Sequence, residues 1–400
     1  MTRTATTTAT TALKQRIAEH LEERREQLLD FSHRLHAEPE LGWEEIKASG
    51  WLAQEAATGR GARVEHGLGE LTTAVRAEAG TGELVVTVCA EYDALPGVGH
   101  ACGHNVIAAA GLGAFLALAE IADEVGATVR LLGTPAEENG GGKIVMLEQG
   151  DFDGTHLAMM VHPLDQERSG MRPMACAGYT ATYTGRSAHA SAMPWEGVNA
   201  LDAMVLANTA IGLARQQLEP GQQIHAMLTG AGDAPNVIPG SSSGKFMTRA
   251  TTLASLERVD EKLRRCLEAG ALATGCTLDL QQAGRSYSHM ESDAELEELW
   301  TANLRHRGRD PRPADTRGGS TDMANVSLRF PTIHPTIRIC DDVPVHNEAF
   351  AARAGAAGGD AGVLDGAYGL ATTAVDAATD PAVRARLLAG QRRLREDLPA

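Results

Sequence analysis

The chain has 400 residues, 43% of them apolar and 4% aromatic, with 36 Lys and Arg against 52 Asp and Glu, a formal net charge of −16. That length provides for about two domains with a large core, and the acidic excess excludes nucleic acid and anionic membranes as partners, because phosphates demand clustered basic residues. Six cysteines, at 89, 102, 176, 266, 276 and 340, lack the spacing of a disulfide scaffold and read as buried thiols of a reducing, cytoplasmic compartment.

Residues 1–11 form a Thr/Ala tail without the apolar core of a signal peptide, and are expected to be disordered. Helical spacing of Leu13, Ile17, Leu21, Leu28, Phe31 and Leu35 predicts a helix over 12–37, ended by Pro39, and a second helix is expected over 43–57. Strands follow at 72–77 and 84–90. The uncharged run 106–119 reads as a buried helix, too short to span a bilayer. A strand at 127–132, a glycine-rich loop, a helix at 143–149 and a strand at 157–161 complete the first part. The alternation of strand and helix predicts a mixed, mostly parallel sheet flanked by helices, an α/β class domain.

The pattern changes after Pro173. Strands at 177–184, 224–229, 240–251 and 277–282, with helices at 197–217 and 253–273, give the β-α-β-β-α-β order of a ferredoxin-like α+β unit. We place it as a separate domain over 175–288, inserted between two parts of the first domain, 12–174 and 289–400. The last part holds a helix to about His306, the loop Arg317-Gly-Gly-Ser-Thr-Asp322, a strand at 336–340 and a helix from about Ala361.

The loop Glu91-Tyr-Asp-Ala-Leu-Pro-Gly-Val-Gly-His-Ala-Cys-Gly-His104 leaves a buried strand and enters a helix, where open α/β sheets place their chemistry. Cys102 and His104 are metal-ligand types two residues apart. Taken alone the pair is a weak signal, but the next two strand ends carry Glu137-Glu138 and His162, and His346 follows in an acidic loop. Adjacent side chains on an extended segment point apart, so one carboxylate of the pair can bind metal while the other handles protons; Glu138 as ligand and Glu137 as base is the natural division, though spacing alone leaves the order open. Asp93 is placed to orient a ligand histidine. In the second domain His189, Asn236 and Arg249 are the types that polarise a carbonyl oxygen and grip a carboxylate.

Taken together, Asp93-Ala-Leu-Pro, Gly99-His-Ala-Cys-Gly-His104, Pro135-Ala-Glu-Glu138, His162-Pro, Gly185-Arg-Ser-Ala-His-Ala-Ser191, Asn236-Val-Ile-Pro239, Gly319-Ser-Thr-Asp322 and Val345-His346 resemble the aminoacylase/carboxypeptidase family of co-catalytic metallopeptidases. The likeness is to the branch with hippurate hydrolases, indole-acetyl-amino-acid hydrolases and aminobenzoyl-glutamate hydrolase. It implies a metal-binding catalytic domain interrupted by a lid that makes a homodimer interface. It implies Cys102, His104, Glu138, His162 and His346 as ligands of two divalent metals, zinc first, with manganese or cobalt admitted by the same donor set. It further implies Glu137 as general base and acid, His189 from the lid of the same or a partner subunit as oxyanion donor, and Asn236 and Arg249 on the substrate carboxylate. Position 105 is Asn where many relatives have Asp, so it lacks the charge to serve a neighbouring histidine. Gly-Arg-Ser-Ala-His and Ser-Thr-Asp lean towards the members acting on aminobenzoyl-glutamate or on dipeptides with a basic residue.

The expected activity is therefore metal-dependent hydrolysis of an amide bond in a small N-acyl amino acid or dipeptide. The rival expectation is a non-catalytic relative that binds metal and a small carboxylate ligand; intact ligands and an intact Glu137 argue against it.

Overall fold

A computed structural model describes residues 3–314 and 318–396. The elements in chain order are helices α1 (Arg3–Glu23), α2 (Arg25–Ala37) and α3 (Ile46–Ala56), strands β1 (Arg63–Leu68), β2 (Leu71–Ala79) and β3 (Leu84–Glu91), α4 (His104–Ala119), β4 (Ala127–Thr134), α5 (Gly142–Gln149), β5 (Leu157–Met159) and β6 (His162–Leu164). Then come β7 (Ala175–Thr184), β8 (Ala188–His189), α6 (Ala200–Ala214), β9 (Gln223–Gly230), β10 (Val237–Ile238), β11 (Ser241–Ala250), α7 (Leu253–Thr274) and β12 (Thr277–Gln282). The chain finishes with α8 (Ala294–Arg305), α9 (Met323–Ser327), β13 (Thr332–Ile333), β14 (Thr336–Arg338), α10 (Glu348–Ala354), α11 (Ala357–Thr379) and α12 (Pro381–Glu396). Arg317 of the Gly-Gly-Ser-Thr-Asp loop lies outside the described residues, as do residues 1 and 2 of the expected tail.

Two compact units emerge: residues 1–172, 290–317 and 321–400, and residues 173–289 with 318–320. In the first, six strands run in the order β1-β2-β4-β3-β5-β13. β4, β3, β5 and β13 are mutually parallel, while β1 and β2 are antiparallel additions on one edge. β3 (LVVTVCAE) is buried along nearly its whole length, as befits a central parallel strand covered on both faces. In-register pairing of Glu91 with Thr134 and of Val88 with Met159 brings the carboxyl ends of β3, β4 and β5 to one level.

The scarcity of aromatics has a packing counterpart. Every residue of α4 is buried, and its small side chains let helices approach closely. A Cβ at Gly113 would stand 2.9 Å from Ala367 Cβ, and one at Gly366 3.3 Å from Ala110 Cβ, so α4 and α11 meet through Ala and Gly rather than interdigitated large residues.

Three expectations change. The segment foreseen as a disordered tail is helical from Arg3, because no Gly or Pro precedes Pro39 to break a helix and Thr10 Oγ1 bonds Thr379 Oγ1 of α11 at 3.1 Å. The helix foreseen over 12–37 is two helices joined at Arg24, whose φ −94° and ψ 2° leave the helical region. The helix foreseen from Trp43 begins only at Ile46, since Trp43 has φ +72°, incompatible with a right-handed turn.

The second unit pairs its strands in the order β12-β7-β11-β9, all antiparallel, with α6 and α7 in the same core cluster as the sheet. Numbered within the unit, that order is 4-1-3-2, the ferredoxin-like arrangement. A separate two-stranded ribbon, β8 with β10, stands at the Gly185/Gly240 end.

Candidate functional site

Three neighbouring strand ends build the site in the first unit. The loop after β3 carries Asp93 and Cys102 and leads into His104, the first residue of α4; the loop after β4 carries Glu137 and Glu138; and just beyond β5, His162 opens β6. His346 arrives from the loop before α10; it has φ +67°, and its N–H donates to Ala101 O at 2.8 Å, tying that loop to the Cys102 turn.

The structure brings together all five residues expected to ligate metal. Cys102 Sγ lies 3.5 Å from His162 Nε2 and 3.4 Å from His346 Nε2. Glu138 Oε1 lies 3.8 Å from both His104 Nε2 and His346 Nε2. The donor atoms form two sets, Cys102/His104/His162 and Cys102/Glu138/His346, in each of which all atoms lie within 4.8 Å of one another; Cys102 belongs to both. A further set joins His104, Glu137 and Glu138.

The ring orientations suit ligation. His104 Nδ1–H donates to Asp93 Oδ1 at 2.9 Å, and His162 Nδ1–H to Pro163 O at 2.8 Å, so both rings turn Nε2 towards Cys102 and Glu138. Burial, followed by the charge of His104, pulls the His162 pKa down to about 4 and keeps that ring neutral. Burial also opposes protonation of His104, but the carboxylate of Asp93 outweighs it and raises that pKa. Burial holds the Cys102 thiol well above its ordinary value, with Glu138 and Glu137 adding to the effect. His104 Nε2 and Glu138 Oε1 are buried without a hydrogen-bond partner, a cost of about 1–3 kcal/mol each. Divalent cations remove that cost and convert the thiol to a thiolate, so the residues present fit a metal pair.

Asp93 does more than orient His104: its Oδ2 accepts the Glu138 N–H at 3.0 Å. Asn105, fully buried, spends its amide on Ser32 Oγ at 3.0 Å and Ala354 O at 3.1 Å and so serves the packing of α4, not the histidine before it.

Sequence reasoning missed the ground beneath the site. Lys143, with no exposed side-chain surface, pairs with Glu91 and, at 2.7 Å, with Asp322 Oδ1, while its own N–H donates to Asp322 Oδ2 at 2.9 Å. Carboxylate atoms of Glu91, Glu137 and Asp322 lie within 4.8 Å of one another. Burial, then the charges of Glu91, Asp322 and Glu138, pushes the Glu137 pKa well above the usual carboxylate range. Glu91 opens the Cys102 loop and Asp322 closes the Gly-Ser-Thr-Asp loop, so both lie at the edges of recognisable motifs. Lys143, the first residue after the glycine run, reads as an ordinary helix lysine until it is seen buried.

The three residues expected to touch substrate lie in the second unit. His189 on β8 pairs with Val237 on β10, and Ala190 N–H donates to Asn236 O at 3.0 Å, so His189 and Asn236 sit on one ribbon. The N–H groups of Ser191 and Ala192 point at His189 Nδ1, at 3.3 and 3.2 Å, which leaves Nε2–H as a donor. Arg249, near the far end of β11, donates to Ser320 Oγ at 2.9 Å. It lies eight residue steps along the strand from Ser241 at the ribbon end, about 26 Å, so a single second unit does not bring Arg249 to His189.

Among the described residues no helix is long and apolar enough to cross a membrane. Residues 87–361 match the model of peptidase family M20/M25/M40. The chain is 37% identical to the mouse (Mus musculus) Xaa-Arg dipeptidase over 93% of its own length and 90% of that protein. It is 30% identical to the indole-3-acetyl-aspartic acid hydrolase of Enterobacter agglomerans over 49% of its own length and 47% of that protein. In structure it is similar to the aminobenzoyl-glutamate utilization protein of Klebsiella pneumoniae (TM-score 0.70, 18% identity, 90% of this chain and 98% of that one). It is also similar to the Bacillus subtilis YXEP protein, a dinuclear metal binding peptidase (TM-score 0.66, 19% identity, 89% and 99%). This chain belongs to peptidase family M20/M25/M40 and is a hydrolytic enzyme acting on amide bonds.

Proposed function

We propose that the enzyme hydrolyses small dipeptides, foremost those ending in a basic residue, with two divalent cations held by Cys102, His104, Glu138, His162 and His346. One observation carries this reading: two three-donor sets that overlap at Cys102, with Glu137 beside them. Thiolate, imidazole and carboxylate together suit zinc, and admit manganese or cobalt. When bound, such cations polarise the scissile carbonyl and make a water molecule acidic.

The chain's own residues supply the proton traffic and the grip. Glu137 accepts the proton of the attacking water and returns it to the leaving amine. His189, through Nε2–H, donates to the oxyanion with Asn236 beside it on the ribbon, and Arg249 holds the substrate carboxylate; because one second unit keeps Arg249 away from that ribbon, the two grips come from the two subunits of a dimer. The basic-residue preference follows the likeness to the mouse Xaa-Arg dipeptidase, which extends over nine-tenths of its length, and a net charge of −16 draws cationic substrates. A homodimer joined through the second unit is supported by β9, paired on one side only, and by exposed Val205, Leu206, Leu213, Met227 and Leu228. Six free cysteines support a cytoplasmic setting.

The test is Glu137→Ala, assayed on dipeptides ending in Arg or Lys, on aminobenzoyl-glutamate and on N-acyl amino acids, with metal counted per chain. The expected result is a turnover loss of about 10²–10⁴-fold or more with metal content unchanged. Turnover near that of the unsubstituted enzyme removes Glu137 as the base. Equal rates on acidic and basic dipeptides remove the substrate assignment.

A further inference from the structure

We propose that Glu45 is a positioning residue that holds the backbone turn from which Glu137 projects; the inference rests on Glu137 being the proton-transfer group.

The segment before α3 lies across the two loops that carry the site. Glu40 O accepts the Ala94 N–H at 2.8 Å, and Leu41 bridges Ala94. Gly42 lies against Ala136, where a Cβ would stand 3.0 Å from Ala136 Cα, so any side chain there would crowd that turn. The Trp43 indole covers Gly140 so tightly that a Cβ there would overlap the ring. Glu45, with no exposed surface, reaches into the turn: Oε1 accepts the Ala136 N–H at 2.7 Å and Oε2 accepts the Thr73 hydroxyl at 3.0 Å.

Ala136 is the residue before Glu137, and its φ is +53°. An L-residue avoids that region, because Cβ crowds the following carbonyl. Three bonds keep it there: its N–H to Glu45, and its carbonyl accepting from the N–H groups of Gly140 and Gly141 at 3.0 and 2.9 Å. On the other side of Glu137 the Glu138 N–H is held by Asp93. Glu137 thus hangs between two backbone anchors, each a buried carboxylate from a different element. Without Glu45 the left-handed turn loses an anchor, and a carboxylate displaced by about 1 Å costs on the order of 10²-fold in rate.

The experiment compares Glu45→Ala, Glu45→Gln and Glu45→Ala/Ala136→Gly in the full-length, metal-loaded protein, with kcat, KM, bound metal and thermal melting all measured. Glutamine keeps an oxygen for the Ala136 N–H. Glycine adopts φ +53° freely, so it removes the need for the anchor. The expected pattern is a kcat loss of about 10²-fold for Glu45→Ala, with KM and metal content little changed, near-complete activity for Glu45→Gln, and substantial recovery in the double variant. Unchanged kcat in folded Glu45→Ala overturns the proposal, and so does a double variant as slow as Glu45→Ala. If Glu45→Ala does not fold, Glu45→Asp, one methylene short of the turn, takes its place: loss reversed by Ala136→Gly supports the proposal, and unchanged kcat overturns it. Glu137→Ala separates the two readings. If it stays active, the base assignment fails; if it is inactive while the Glu45 variants are not, only the positioning role fails.

Discussion

The two units of this protein treat their chemistry-bearing side chains in opposite ways. In the first, Cys102, His104, Glu137 and His162 are at most 9% exposed and rest on a buried Lys143 with Glu91 and Asp322, and of the expected ligands His346 alone is open to solvent. In the second, His189 and Asn236 are exposed on a two-stranded ribbon, tied down by local backbone contacts. Charge gathered in a dry interior must be balanced by further buried charge, so function and stability share residues there. Groups on an open ribbon stay hydrated and carry no buried-charge balance, so their loss is expected to leave the fold alone.

The largest expected break in this contrast is Lys143→Met. It strands Glu91 and Asp322 in the interior, and a stability loss of about 3–5 kcal/mol should appear in denaturant unfolding, together with lost turnover. His189→Ala tests the other side: kcat should fall about 10²–10³-fold while the unfolding curve does not move. A lowered melting temperature in that variant would erase the contrast.

Glu45 sharpens the first half. Burial, with the charge of Asp93 adding to it, pushes its pKa from 4.5 up to about 7, against the N–H and hydroxyl it accepts. The folded state therefore binds more protons than the unfolded one between those values. Its contribution is full below pH 4.5, declines as pH rises through 7, and is flat above. Glu45→Gln lacks that decline, so its stability relative to the unsubstituted protein should improve by up to about 3 kcal/mol between about pH 4.5 and 8; a constant difference across that range would contradict the shift. Arg249→Ala carries the smallest effect: KM should rise about tenfold, roughly 1.4 kcal/mol, with less change in kcat.

What could be read from the chain depended on whether the signal was local. The period of apolar residues exposed the strands and helices, and the change of period near Pro173 separated the second unit's β-α-β-β-α-β order. Strand ends carrying Cys, Glu and His were legible because the residue types are rare there and the spacing follows the strand–loop–helix repeat. Glu45 sits in Gly-Trp-Glu-Glu, which reads as a solvated helix start, and Lys143 as a helix surface; neither has a neighbour in sequence that betrays its burial. The start of α3 was misplaced for the same reason, since φ +72° at Trp43 is imposed by the glycine loop it covers.

By itself the sequence determined the order of elements, the donor types and the position of Cys102, His104, Glu138 and His162 near strand termini, because periodicity and residue chemistry act over a few residues. Only the tertiary structure decided that Cys102 lies between His162 and His346, 244 residues beyond it, that Lys143 closes a charge cluster with Asp322 from 179 residues away, and that Ala136 is held in a left-handed turn by Glu45, 91 residues earlier. Those facts come from strand pairing and buried-charge balance, which are properties of the assembled interior and have no local trace.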